Sequence, residues 1–276
     1  MIEVLQIVCN VTCPFDCYYC SIDKDTQERD MAFEEIAQNV DYFMNEKGIT
    51  DIVLSGGEIT TRQDFKEILD YVNAKKPRFC TVITNGKLWD TELTSYCKGK
   101  ITRAVVAFSF PDEQLMRNIE LMQDNGIMVQ TNTVILKQNC HNLSRIAEMV
   151  DRLRIKNPIF TFPFPTGRIR NNIENIVSKW NDIKTILFES IQLLQNPLIK
   201  NVPLCYLDAQ YKTVTTQRYV VTANKQLGNH KVSPPCFRET QYIDKCFRCN
   251  EKSNCDGLSN CDGFWIEYIK KGILVG

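Results

Sequence analysis

Histidine is nearly missing from this sequence. His141 and His230 are the only two among 276 residues, which argues against a metal site built on imidazole. No stretch of about 18 consecutive apolar residues occurs, so no transmembrane helix is expected. The N-terminus, MIEVLQIVCNVTC, lacks a basic segment followed by a long apolar run and does not read as a signal peptide. An excess of charge is missing too: 33 Lys and Arg balance 33 Asp and Glu. With no long block of like charge, neither nucleic acid nor an anionic membrane is an expected partner. These absences describe a soluble, cytoplasmic chain. That setting does not favour disulfides, yet the sequence carries 13 cysteines, an odd number. Thiolate ligation of iron–sulfur clusters or zinc is the economical explanation.

The cysteines cluster at the two ends. Cys9, Cys13, Cys17 and Cys20 open the chain, and Cys205, Cys236, Cys246, Cys249, Cys255 and Cys261 lie in its last quarter. Cys80, Cys97 and Cys140 fall singly between them and read as small buried hydrophobes. Short β-branched runs at 3–8, 51–54, 80–84, 104–110, 128–135 and 159–164 alternate with segments of helical period. Phe33, Ile36, Val40 and Phe43 fall on one helical face, as do Phe65, Ile68, Leu69 and Val72. This alternation predicts a parallel sheet with crossover helices. Six such units precede residue 200, too few for a closed eight-unit barrel. The expected fold is therefore α/β, a partial (β/α)6 TIM-like barrel over residues 1–200, with strand-end loops carrying the chemistry. Beyond a helix at about 178–195, a strand at 212–222 and a turn at 224–231, residues 201–276 become polar and cysteine-dense. They read as a small domain that metal–thiolate bonds would staple.

Within the first group only Cys13, Cys17 and Cys20 give the spacing C-x3-C-x2-C. Three thiolates on one short loop hold three irons of a [4Fe–4S] cube and leave the fourth open to an exogenous ligand. A structural zinc loop with Cys9 as fourth ligand is the alternative.

Residues 13–20 resemble the signature of the radical S-adenosylmethionine (SAM) enzymes, with Tyr19 at the aromatic position before the last cysteine. Ser55-Gly56-Gly57-Glu58, after the second strand, resembles that family's GGE motif, with Ile59 where proline is more usual. The resemblance implies that Glu58 and the backbone of Gly56 and Gly57 receive the α-amino group of SAM. Glycines permit close backbone approach, and a carboxylate suits an ammonium. It also places Ser109 and Asn132 at the ribose and carboxylate, lets Thr84-Asn85-Gly86 line the same cavity, and matches Pro163–Arg168 to a P-x-G segment of the peptide- and sugar-modifying branch.

Cys246-x2-Cys249-x5-Cys255 resembles the core of the SPASM and twitch auxiliary-cluster domains. Cys205 and Cys236 flank a hairpin as in that family. Cys261 leaves a second register open, Cys246-x2-Cys249-x11-Cys261, which resembles the pattern of the molybdopterin-forming cyclase. At least one auxiliary [4Fe–4S] cluster is implied, held by Cys205, Cys236 and two or more of the last four cysteines; a zinc ribbon is the alternative.

The implied activity is reductive cleavage of SAM to a 5′-deoxyadenosyl radical that abstracts hydrogen from an unactivated C–H bond. A ribosomally made peptide is the first expected substrate, to be crosslinked or oxidised. A small molecule, an amino sugar alcohol or nucleoside, is the second, and a non-catalytic iron–sulfur or zinc protein is the reading of another class. No leader-binding domain is expected ahead of a first strand that starts at residue 3. The electron donor implied is a low-potential flavodoxin or ferredoxin.

Overall fold

The computed structural model describes residues 4–22, 29–203, 206–207, 220–223, 231–233, 240–241 and 264–273. In chain order the elements are β1 (Val4–Val8), α1 (Phe33–Asp41), β2 (Asp51–Ser55), α2 (Phe65–Ala74), β3 (Phe79–Thr84), α3 (Thr91–Cys97), β4 (Arg103–Ala107), α4 (Glu113–Asp124), β5 (Met128–Val134), α5 (Leu143–Arg152), β6 (Ile159–Thr161), α6 (Gly167–Arg170), α7 (Ile173–Ile176), α8 (Trp180–Ile191), β7 (Leu198–Lys200), β8 (Val220–Ala223), β9 (Lys231–Ser233), β10 (Thr240–Gln241), β11 (Phe264–Trp265) and α9 (Ile266–Lys270). They form two compact units. The first holds the described parts of 1–17, 22–131 and 218–233, the second those of 18–21, 132–217 and 234–276.

In the first unit the strands run in the order β4-β3-β2-β1-β8-β9. β1 to β4 pair parallel, with Val4 opposite Asp51, Asp51 opposite Phe79 and Thr81 opposite Arg103. β8 adds a further parallel strand on the free side of β1, and β9 folds back antiparallel on β8. In the second unit the end of β5, residues 132–134, pairs parallel with β6, and β6 with β7. This is the α/β alternation of a partial (β/α)6 barrel, as the sequence predicts.

Local chemistry explains the elements. Asp90 and Asp112 cap α3 and α4 by accepting from the Leu93 and Leu115 amides at 2.8 Å, which satisfies donors that a helix start leaves orphaned. Leu115, Met116, Ile119 and Met122 of α4 are buried along one stripe, and so are Leu143, Ile146, Ala147 and Val150 of α5. Side chains of β1 to β4, including Leu5, Ile7, Ile52, Leu54, Val82, Ala104 and Val106, are buried on one face of the sheet. The alternate residues Val53, Ile83, Val105 and Ala107 are half-buried or exposed, so the other face is the open one.

Several boundaries differ from the sequence reading. The sixth strand ends at Thr161 rather than 164: Phe162 still donates its amide to Lys200 at 2.9 Å, but Pro163 has no N–H with which to continue the ladder. The fourth ends at Ala107, with Phe108 buried in the following loop. α1 continues as a π-helical turn over Tyr42–Glu46, and α8 is shorter than expected. Of the strand expected at 212–222, residues 220–222 are seen as part of β8, while 212–219 and the turn residues 224–230 lie outside the described residues. Among the described residues no helix is long and apolar enough to cross a membrane.

Candidate functional site

The loop that follows β2 is built on close backbone approach. A Cβ on residue 57 would lie 2.4 Å from the Thr12 carbonyl oxygen and 2.6 Å from that of Val11, and one on residue 56 would lie 2.1 Å from Asn10 Oδ1. Only glycine fits at either position. The contact is hydrogen-bonded: Cys9 donates to Ser55 O at 2.7 Å, Gly57 to Asn10 O at 2.7 Å and Glu58 to Thr12 O at 3.1 Å. The fully buried Asn10 adds its Nδ2, donating to Thr12 O at 2.8 Å and Glu58 O at 3.0 Å. The glycines therefore press this loop onto the first residues of the cysteine segment.

Glu58 is wholly buried, and its carboxylate takes four hydrogen bonds. Oε1 accepts from Thr60 N at 3.3 Å, Thr60 Oγ1 at 2.7 Å and Thr84 Oγ1 at 2.7 Å; Oε2 accepts from Asn85 N at 2.6 Å. Thr84 Oγ1 in turn accepts from Gly86 N and Trp89 Nε1 at 3.1 and 3.2 Å. Asn118 donates to Gly86 O at 2.9 Å, and Gly86 itself has φ +75°, with Leu115 and Val106 2.7 Å from where a Cβ would stand. Glu58 thus joins the end of β2 to the turn after β3.

The segment between Cys9 and Met31 is tied at its neck. Met31 N donates to Cys9 O at 2.9 Å. Arg62 Nη1 donates to Cys9 O and Met31 O at 2.8 and 2.9 Å, while its Nε and Nη2 meet Asp64 at 2.8 and 2.7 Å. Asp30 accepts from the amides of Val11 and Thr12 and from the Thr12 hydroxyl.

The seven described cysteines, none in a disulfide, fall into two classes. Cys9, Cys80, Cys97 and Cys140 are buried, whereas Cys13, Cys17 and Cys20 are half-buried. Burial pushes the Cys9, Cys80 and Cys97 thiols up to about 12, which disfavours the thiolate a metal needs. Cys9 directly follows β1 with its thiol on Ile7 O, a packed position. Cys13 and Cys17 belong to the first unit and Cys20 to the second. Among the described residues no three His, Cys, Asp or Glu side chains are gathered as a metal site. The fit to a metal cluster rests on donor chemistry: three thiols outside the core, on one loop, in a chain whose other described cysteines are sealed away.

Within the second unit, Arg168 N donates to Cys20 O at 3.1 Å and Thr166 Oγ1 to Ser21 O at 3.3 Å. The same segment is held from behind, since Pro163 O accepts from Tyr268 Oη and Asn201 Nδ2, both at 2.6 Å. Tyr19 packs edge to face on Tyr18 at 5.1 Å. Asn132 Oδ1 accepts from Thr161 at 2.7 Å, leaving its amide nitrogen as the donor to other groups. In the first unit Ser109 is buried just past β4. Cys205, Cys236, Cys246, Cys249, Cys255 and Cys261 lie outside the described residues.

Sequence reasoning missed Asn10, Asp30 and Arg62. Each makes bonds to backbone groups distant in sequence, which leave no residue pattern to read. Thr60 was equally silent, whereas Thr84 and Asn85, expected beside Glu58 in one cavity, do meet its carboxylate.

Residues 7–153, more than half of the chain, match the family model described as the Radical SAM superfamily. The AdoMet-dependent heme synthase of Nitratidesulfovibrio vulgaris is 25% identical over 184 residues, 60% of this chain and 50% of that protein. The antilisterial bacteriocin subtilosin biosynthesis protein AlbA of Bacillus subtilis is 24% identical over 176 residues, 58% of this chain and 39% of that protein. The chain thus spans half or less of the length of these two curated relatives. Among solved structures, Streptococcus suis SuiB bound to precursor peptide SuiA superposes with a TM-score of 0.65 at 11% identity, covering 98% of this chain and 73% of that one. That likeness is one of fold.

Proposed function

The chain belongs to the radical SAM superfamily, and on that premise we propose that it reductively cleaves SAM and uses the radical to abstract hydrogen from an unactivated C–H bond of a ribosomally made peptide, giving a crosslink or an oxidation. The observation that carries the reading is the separation of Cys13, Cys17 and Cys20 from four core cysteines, on a loop with a closed neck. These three thiolates would hold a [4Fe–4S] cluster. When bound, that cluster supplies the electron that breaks the sulfonium bond of SAM. The chain's own part is positional. The amides of the loop after β2 hold the cysteine segment, while Tyr19, Ser109 and Asn132 would contact the cofactor. The open face of β2 to β4, with Val53, Ile83, Val105 and Ala107, supplies an apolar floor that excludes water from a reactive radical.

The peptide reading draws on SuiB, seen with a precursor peptide, and on AlbA, a bacteriocin biosynthesis protein; it is an argument from fold and family. The heme synthase favours a second reading, a small-molecule substrate. Residues 201–276 would form the SPASM- or twitch-like domain, with Cys205, Cys236 and two or more of Cys246, Cys249, Cys255 and Cys261 on at least one auxiliary cluster. A cytoplasmic setting and a low-potential flavodoxin or ferredoxin donor complete the proposal.

The test is anaerobic reconstitution followed by SAM and a strong reductant. Release of 5′-deoxyadenosine by the intact chain and its loss in Cys17→Ala are expected; a cluster-loaded chain that releases none refutes the enzyme reading. Iron counting separates about four atoms per chain from about eight, one cluster from two. Dependence of turnover on an added peptide, read by its mass change, divides the two substrate classes.

A further inference from the structure

We propose that Arg62 is a positioning residue that clamps the neck of the cysteine loop and thereby sets how firmly residues 13–20 retain their cluster. The inference rests on the cluster reading above and extends it to a residue outside the cysteine motif. Its guanidinium side chain is only 8% exposed, an expensive place for a charge. Four of its five N–H donors are in use. Nη1 reaches the carbonyls of Cys9 and Met31, the residues at which the chain leaves β1 and returns from the loop. Nε and Nη2 form the two-pronged pair with Asp64. A planar fork can serve two carbonyls and a carboxylate at once, and a lysine ammonium cannot.

Asp64 supplies a second, independent observation. It stands at the N-cap of α2, where an aspartate ordinarily accepts from an amide of the first turn, yet it makes no such bond. Its carboxylate is turned to Arg62 instead. The fold forgoes a helix cap in order to orient the clamp. Asp30 closes the ring from the other strand of the neck through the Val11 and Thr12 amides. With the ends already joined, ordering the ligand loop around a cluster costs less chain entropy.

The decisive variants are Arg62→Lys and Asp64→Ser. Serine can cap α2 but removes the partner of Arg62 and leaves its charge unpaired, so its apo form should melt below the wild-type temperature. A purely structural role for the pair predicts no other effect. The clamp predicts that, after anaerobic reconstitution of the whole chain, both variants lose iron to a ferrous chelator roughly tenfold faster than wild type, followed by the visible cluster absorbance. A tenfold change corresponds to about 1.4 kcal/mol. Amide exchange at Val11, Thr12 and Met31 in the apo chains should quicken in parallel. An Asp64→Ser chain with wild-type iron retention and wild-type exchange at those amides overturns the clamp. A wild-type chain that takes up no iron overturns the cluster reading instead, and the exchange measurement then still decides whether the neck is clamped.

Discussion

Replacing Glu58 by glutamine keeps the shape of the side chain and changes one oxygen into an NH2 group, so it asks whether the carboxylate serves the fold or a ligand. Four donors converge on the two oxygens. If the amide nitrogen takes the Oε2 place, it faces the Asn85 N–H at 2.6 Å, donor against donor. If it takes the Oε1 place, it faces the Thr60 N–H and also Thr84 Oγ1, whose two acceptor positions are already used by Gly86 N and Trp89 Nε1. Either way one buried donor is left unmet, a cost of about 1–3 kcal/mol. Apo Glu58→Gln should therefore unfold at lower urea with an unchanged slope, and its melting point should fall by several degrees. The companion measurement is equilibrium binding of SAM to the cluster-loaded variant. A variant whose apo stability matches wild type within about 0.5 kcal/mol while its affinity for SAM collapses refutes the reasoning; it would mean that the carboxylate meets the cofactor's ammonium and only idles against Thr60, Thr84 and Asn85.

Gly57→Ala should destabilise by about 2–3 kcal/mol, because the added carbon meets backbone oxygens at 2.4 and 2.6 Å that cannot rotate away. Gly126→Ala should lose only about 1 kcal/mol, since its φ of +81° is strained for alanine but nothing lies within 4 Å; urea midpoints that rank the two the other way would contradict the close approach. Glu35 accepts two short bonds from Arg29 and one from the Ala32 amide, and these hold its carboxyl down at about 2 from the usual value near 4.5. The folded value is the lower one, so this stabilisation is fully present above about pH 4.5 and is lost as pH falls toward 2. Because Arg29 is largely exposed, salt should weaken the effect. Unfolding midpoints of wild type and Glu35→Gln taken across that window should converge as pH drops, and parallel curves would exclude the linkage.

Periodicity carried most of the fold into view. β1, β2, β3 and β5 were legible as short apolar, β-branched runs, and α1, α2, α4 and α5 because one buried face imposes the helical period. α3 was not, since Thr94 and Cys97 are the buried residues of a short TELTSYC segment that has no apolar stripe. β7 was missed because LIK is three residues long and takes its identity from β6. The cysteine motif was legible as spacing, and so were the two glycines beside it. The hydrogen bonds on Glu58 were not: Thr84 and Asn85 reach it from 26 and 27 residues away, and only the parallel register of β2 on β3 makes them neighbours.

The stretch Gly56 to Arg62 does three jobs with three kinds of chemistry. Its glycines, by having no side chain, let the backbone seize residues 10–12. Its acid reaches in the other direction and holds the turn after β3. Its arginine closes the loop that carries the cysteines. Each job depends on groups within hydrogen-bonding distance of rigid strand ends, the place in a parallel sheet where loops from successive strands converge. Substitutions within this stretch should therefore be strongly non-additive, since a shift of the 10–12 segment moves Cys9 O, to which Arg62 is bonded, and Glu58 N, which Thr12 O holds. The resemblance of the GGE motif to a cofactor-binding signature is compatible with this. The backbone grip on residues 10–12 keeps the loop after β2 and the start of the cysteine segment in fixed relation.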